Sequence, residues 1–162
     1  MRRPGDELPT AGRLVALDLG RVRVGVAVSD PSQVVASPAD TVDVGDLDRG
    51  DAMDVDGLAE RLAEVVAVND GAGIVVGAPL DLDGHEGEAA REARAVADAL
   101  RERTALPVRL VDERFTSTQA ERVLIEADVS RAGRRRVVDG VAASVLLQGV
   151  LATHELRRRG EA

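Results

Sequence analysis

The 162-residue chain has no cysteine, no tryptophan and no tyrosine, and Phe115 is its single aromatic side chain. Without thiols it can build neither a disulfide framework nor a thiolate zinc site, and a reducing cytoplasm is the expected home. Without aromatic rings, nothing in it can act as a platform on which bases stack. Lysine is missing too: all 21 basic residues are arginine, set against 29 acids for a net charge of -8. That balance argues against a non-specific nucleic-acid coat protein. Long apolar runs are also absent. The longest, Val141 to Leu147, contains Ser144 and stops at Gln148, well short of the roughly 20 residues of a membrane span. Arg2-Arg3 leads into Pro4, Gly5, Asp6 and Glu7 rather than an apolar stretch, so neither an export signal nor a membrane partner is expected.

What is present is a single-domain length and a hydrophobic content drawn almost wholly from Ala, Val and Leu. Residues 1–12, with Pro4, Gly5, Pro9 and Gly12, read as a flexible tail outside the core, and 13–157 as one domain. Charge is polarised along the chain. Asp40, Asp43, Asp46, Asp48, Asp51, Asp54 and Asp56 crowd one loop, while Arg131, Arg134, Arg135 and Arg136 cluster before the last helix. The acidic loop fits no register of a calcium-binding loop, because a start at Asp46 puts Gly50 and Gly57 where ligands belong, and it reads as solvated and mobile.

Leu14 to Leu19 and the alternating Val22, Val24, Val26 and Val28 predict a two-stranded hairpin turning at Gly20-Arg21. Val34 to Ala36 and Thr41 to Val44 suggest an edge strand interrupted by Pro38. Leu58, Leu62, Val65 and Val66 recur at helical spacing, and Ile74-Val75-Val76 suits a buried parallel strand. Ala89, Ala93, Val96, Ala97 and Leu100 mark a second helix, Val108 to Val111 another strand, and Thr116 with Gln119 a capping box for a third helix. Ser130 to Arg136 reads as a basic loop, and the chain from Val137 to Arg157-Arg158-Arg159 as one long helix lined by Val138, Val141, Ala142, Val145, Leu146 and Leu151. A hairpin followed by alternating helices and strands predicts an α/β domain with a mixed five-stranded sheet covered on both faces, of ribonuclease H-like type.

Three carboxylates fall at the edges of these elements. Asp18 lies in the first apolar run, Glu113 follows the strand ending at Val111, and Asp139 opens the last helix. Asp18 reads either as a turn residue before Gly20 or as a metal ligand, Glu113 could simply pair with Arg114, and Asp139 suits a helix N-terminus on dipole grounds alone. Carboxylates gathered in one crevice are stable together chiefly around a cation, and all-oxygen ligation favours Mg²⁺ or Mn²⁺. Two such ions about 3.5 to 4 Å apart would activate water and stabilise the leaving oxygen of a phosphodiester. Arg131, Arg134, Arg135 and Arg136 adjoin Asp139 and suit phosphate oxygens. His85, in a Gly-flanked polar turn, and His154, beside Glu155, are both expected at the surface.

From Arg13 to Leu151 the chain resembles the YqgF or RuvX family, whose members are described as pre-16S ribosomal RNA nucleases related to Holliday junction resolvases. The resemblance rests on five ordered motifs. They are Leu17-Asp18-Leu19-Gly20 through Arg23-Val24-Gly25-Val26-Ala27-Val28-Ser29-Asp30, Val75-Val76-Gly77-Ala78-Pro79-Leu80, Asp83-Gly84-His85-Glu86-Gly87, Asp112-Glu113-Arg114-Phe115-Thr116 and Val137-Val138-Asp139. It implies that Asp18, Glu113 and Asp139 are the acidic catalytic and metal-binding residues, that Arg23 and Arg114 lie near substrate phosphates, and that the substrate is a structured RNA. The chain departs from the family pattern at Val22, where a second basic residue is frequent, at Asp81, usually Asn, and at Gly140, frequently Gln. Two further readings stay open: a Holliday junction resolvase-like DNA nuclease, which needs a homodimer to cut two strands symmetrically, and a non-catalytic RNA-binding assembly factor. Asp18-x-Gly20 before an alternating strand also resembles the first phosphate loop of actin and Hsp70-type ATPases, which close two such lobes where this chain has length for one. Sequence leaves monomer and homodimer equally open.

Overall fold

The computed structural model of the chain describes residues 7–78, 87–112 and 131–160, with side chains throughout except at 131–139. Strands β1 (Arg13–Asp18), β2 (Arg23–Ser29) and β3 (Ala36–Asp43) come first. Helix α1 (Val55–Val68), β4 (Gly71–Ala78), α2 (Glu88–Thr104), β5 (Val108–Asp112) and α3 (Arg131–Arg158) follow. They build one five-stranded sheet in the order β3-β2-β1-β4-β5. The first three strands run antiparallel and β1, β4 and β5 run parallel, as a leading hairpin followed by helical crossovers requires.

Side-chain alternation divides the strands between two cores. Val15, Leu17, Val24, Val26, Ile74, Val76 and Val108 meet Leu58, Leu62 and Val66 of α1 and Val96, Ala97 and Leu100 of α2. On the opposite face Leu14, Ala16, Ala27 and Val75 meet Ala143, Leu146, Leu147, Val150 and Leu151 of α3. The mixed sheet with helices on both faces is therefore as expected.

Several local expectations give way. Pro38 does not interrupt β3, which is one strand with Pro38 opposite Ala27. An edge position tolerates a residue without an N–H, and a register shift between the Val24 and Val26 pairings takes up the distortion. The supposed basic loop is helix, since α3 begins at Arg131; arginine is a good helix former and only Gly133 opposes it. The leading segment does reach the core: Leu8 is buried in the α3-side cluster, and with Pro9 it lies over Gly73.

The acidic loop is tied down rather than merely solvated. Val44 and Met53 are buried, Asp46 forms a two-pronged ion pair with Arg61 at 2.8 and 3.0 Å, and Asp54 caps α1 by accepting from the Gly57 N–H at 3.1 Å. The Arg61 guanidinium holds the Asp46 carboxyl below its ordinary range, and the Gly57 N–H followed by Arg49 does the same for Asp54.

Candidate functional site

The parallel strands β1 and β4 end side by side at Asp18 and Ala78, and β5 ends beside Ala78 at Asp112. That carboxyl edge is where open α/β sheets place their binding crevice. Leu17 and Leu19 belong to the α1–α2 core. Asp18, between them, alternates to the face covered by α3 and is half-buried.

Its cross-strand neighbours explain how a carboxylate is tolerated there. Asp18 stands opposite Gly25 on β2 and Gly77 on β4, so neither flanking position contributes a side chain. The result is a strip in which one half-buried carboxylate stands between two buried glycines, with no side chain on either neighbouring strand position. Gly20 closes the hairpin next door, where a Cβ would come within 2.5 Å of the Arg23 carbonyl oxygen. Only glycine lets the chain turn this tightly and return Arg23 to the same end of the sheet.

Arg23 opens β2 on the same face as Gly25 and Ala27, one alternation beyond Asp18's partner, so Asp18 and Arg23 share one face of the sheet. Helix α3, which carries Asp139 in its backbone, crosses β1, β2 and β3. Its close approach depends on Gly140, where a Cβ would meet Pro38 Cβ at 3.2 Å, the Ala39 carbonyl oxygen at 3.5 Å and the Val26 carbonyl oxygen at 3.9 Å. Asp139 directly precedes this contact, which seats the helix on β2 and β3. Arg131, Arg134, Arg135 and Arg136 lie in the preceding turns of α3. Glu113, Arg114 and His85 lie outside the described residues. Of the expected carboxylate triad, Asp18 is the side chain the structure describes.

Sequence reasoning passed over Arg21. Its guanidinium lies 3.1 Å from Asp48, 3.9 Å from Glu88 and 4.0 Å from Glu92, binding the hairpin tip to the acidic loop and to the start of α2. With Leu19, Gly20, Gly77 and Ala93 it lines a cavity of about 350 Å³ beside the crevice. The only cue was an arginine directly after the turn glycine.

His154 was expected at the surface and is instead 2% exposed. It extends the buried stripe Ala143, Leu147, Val150 of α3, a 4-3-4 spacing visible in the sequence. Its Nδ1 lies 2.9 Å from Gln33 Oε1, while Gln33 Nε2 donates to the Pro9 and Gly12 carbonyls at 2.9 and 3.1 Å. Because both carbonyls accept from the amide nitrogen, Gln33 must present oxygen to the imidazole, and the network assigns the His154 proton to Nδ1. His154 thus holds the leading segment, the β2–β3 loop and α3 together and is remote from the Asp18 strip in sequence and role.

The family model described as "RuvX: Holliday junction resolvase" matches residues 12–153. The chain belongs to the RuvX family. Among RuvX relatives, a protein of Rhodococcus opacus (strain B4) is 42% identical, covering 92% of this chain and 82% of its own. Another, of Ruegeria sp. (strain TM1040), is 43% identical over 89% and 87%. Each bears the name "Putative pre-16S rRNA nuclease". The RuvX chain also shares its fold with Thermus thermophilus RuvC in complex with a Holliday junction substrate, at a TM-score of 0.54 and 16% identity, covering 93% and 97% of the two chains. The human cytomegalovirus terminase nuclease domain aligns at a TM-score of 0.50 and 12% identity over 91% and 88%. At these identities the likeness is one of fold, a ribonuclease H-like mixed sheet.

Proposed function

We propose that this protein is a divalent-metal-dependent endonuclease that hydrolyses phosphodiester bonds in structured RNA, acting in the cytoplasm on the precursor of 16S ribosomal RNA. The observation that carries the reading is the half-buried Asp18 carboxylate at the carboxyl end of β1, with glycine opposite it on both neighbouring strands, in a chain of the RuvX family. The names of its relatives supply the substrate.

A half-buried carboxylate with glycine on both neighbouring strands has the donor chemistry for an oxygen-ligated cation, so Asp18 fits such a group. Asp18, Glu113 and Asp139 would hold it, and when bound it supplies Lewis acidity toward the phosphate and a lowered proton affinity of water. The chain's own residues do the rest. Gly25 and Gly77 keep side chains off the strand positions on either side of the Asp18 carboxylate. Arg23 on the same face, with Arg114 and the Arg131 to Arg136 turns of α3, binds phosphate oxygens through charge-assisted hydrogen bonds. These contacts orient the strand without reading bases, as expected of a chain with one aromatic side chain.

The test is cleavage of a precursor 16S rRNA fragment and of a four-way DNA junction by the purified protein with Mg²⁺, Mn²⁺ or chelator, alongside Asp18→Asn. Metal-dependent cutting of RNA, lost in Asp18→Asn, supports the proposal. Cutting confined to the junction replaces it with a resolvase, and RNA binding without any cutting replaces it with an assembly factor.

A further inference from the structure

The sheet's outer strand is protected over half its length only. At its start the Ala36 N–H donates to Gln148 Oε1 at 3.0 Å, and Pro38 has no N–H to offer. At its end the Asp43 carbonyl accepts from Arg61 at 2.8 Å. Between these, the outward edge of Ala39–Val42 has no strand beside it among the described residues. Such an open edge is a template for another chain, here a short one, because Pro38 bounds it and the register shift between the Ala39 and Val42 pairings bends it.

Beside that edge, between β3 and α1, runs a groove of about 560 Å³. Its apolar surface comes from Ala39, Val42, Val65 and Val68, and Val68 is 85% exposed, the most exposed large apolar side chain described. Its rim carries Asp40 and Glu64. The one cation there, Arg61, is already committed to both oxygens of Asp46 and to the Asp43 carbonyl. With Arg61 shared between Asp46 and Glu64, the groove still offers apolar area and an excess of negative charge next to unpaired backbone among the described residues. A second copy of this chain would bring Asp40 and Asp43 against their own counterparts, and a nucleic acid would bring phosphates against the same acids, so both are opposed by charge.

We propose that the Ala39–Val42 edge of β3 and the groove beside it bind an extended segment of a partner protein in which arginine or lysine alternates with apolar residues. The segment adds as a further strand, with main-chain hydrogen bonds to β3 giving affinity. Its apolar side chains cover Val42, Val65 and Val68, and its cations meet Asp40 and Glu64. This site lies on the α1 face, away from the Asp18 strip, and does not depend on the nuclease reading.

The test titrates the isotope-labelled full chain with an end-capped heptapeptide alternating Arg and Val, and separately with one alternating Glu and Val, following backbone amide resonances. The Arg-Val peptide is expected to shift residues 39–43 and 65–69, and the Glu-Val peptide to leave them in place. Glu64→Lys combined with Val68→Asp changes only exposed side chains, and is expected to weaken the Arg-Val peptide by about tenfold or more at an unchanged melting temperature. No shift at these residues, shifts centred on Asp18 or α3, or equal binding of the two peptides overturns the proposal. So does a sedimentation profile in which the free chain dimerises through this edge.

Discussion

The two faces of the sheet are built on different terms. The α1–α2 face is apolar throughout, from Val15 and Leu17 across to Val108, and its helices contribute Leu58, Leu62, Val66, Val96 and Leu100. The α3 face has a smaller apolar cluster and holds every buried polar residue among those described: Ser29, Gln33 and His154. It also carries Asp18 and Arg23, with glycine where the other face would have valine. Burial of apolar area stabilises a domain without direction, whereas hydrogen-bonded polar groups fix one arrangement at small net gain. The difference teaches that one face supplies stability and the other supplies placement, and the proposed function makes use of the second.

The sharpest break of this comparison is Asp18→Asn. Under the proposed function it lowers metal-dependent RNA cleavage by about a thousandfold or more, about 4 kcal/mol of barrier. The melting temperature stays level or rises, because a half-buried charge is removed. A parallel loss of fold and cleavage would show Asp18 to be structural.

Next in size is Leu62→Ala in the α1–α2 core, expected to cost about 2 to 5 kcal/mol of unfolding free energy in urea titration. Leu146→Ala, at a side chain of the other face that is 6% exposed, is expected to cost less. A reversed order would remove the distinction drawn between the faces.

A smaller effect tests placement directly. His154→Leu keeps the bulk but leaves Gln33 Oε1 buried without its donor, a penalty of about 1 to 3 kcal/mol. It should also speed amide exchange in the Thr10 to Gly12 segment more than in α1. Uniform exchange would show that the network adds stability without fixing position.

The smallest effect is pH. Backbone N–H donors from Val35 and Val34 hold the Asp30 carboxyl below its ordinary value of 3.8, Arg61 does so for Asp46, and the Gly57 N–H with Arg49 for Asp54. Each group binds its proton less readily in the folded chain than in the unfolded one. Its stabilisation is therefore complete above 3.8 and is lost as pH falls through the lower folded values. A melting-temperature profile that is level from neutral pH to about 5 and falls below about 4 is expected, and Arg61→Gln should shallow the fall.

Much of this architecture was legible because apolar runs of two different periods carry it. Val22 to Val28 alternates, while Leu58, Leu62 and Val66 keep helical spacing, and both became the elements they announce. Pro38 misled because tolerance of proline depends on which strand is outermost, a fact of assembly and not of local sequence. His154 misled because a lone imidazole reads as polar, although the stripe leading to it already pointed inward. At the site, Asp18 was visible as a carboxylate in an apolar run. The bare strip around it was not, because Gly25 and Gly77 become its neighbours only through strand register.

One consequence concerns the order in which the chain is made. The contacts that fasten α3 join residues far apart in sequence: His154 to Gln33, Gln148 to Val34 and Ala36, and Arg158 to the Thr10 and Ser32 carbonyls. During synthesis the hairpin, α1, α2 and the parallel strands can assemble around their shared core while Leu14, Ala16, Ala27 and Val75 remain uncovered. Only when α3 emerges is that surface sealed, and the same helix carries Asp139 and the arginines that the proposed function assigns to the site. Under the proposed function, a nascent chain would carry no cutting power among the ribosomes that make it, and acquire it in the step that completes its fold.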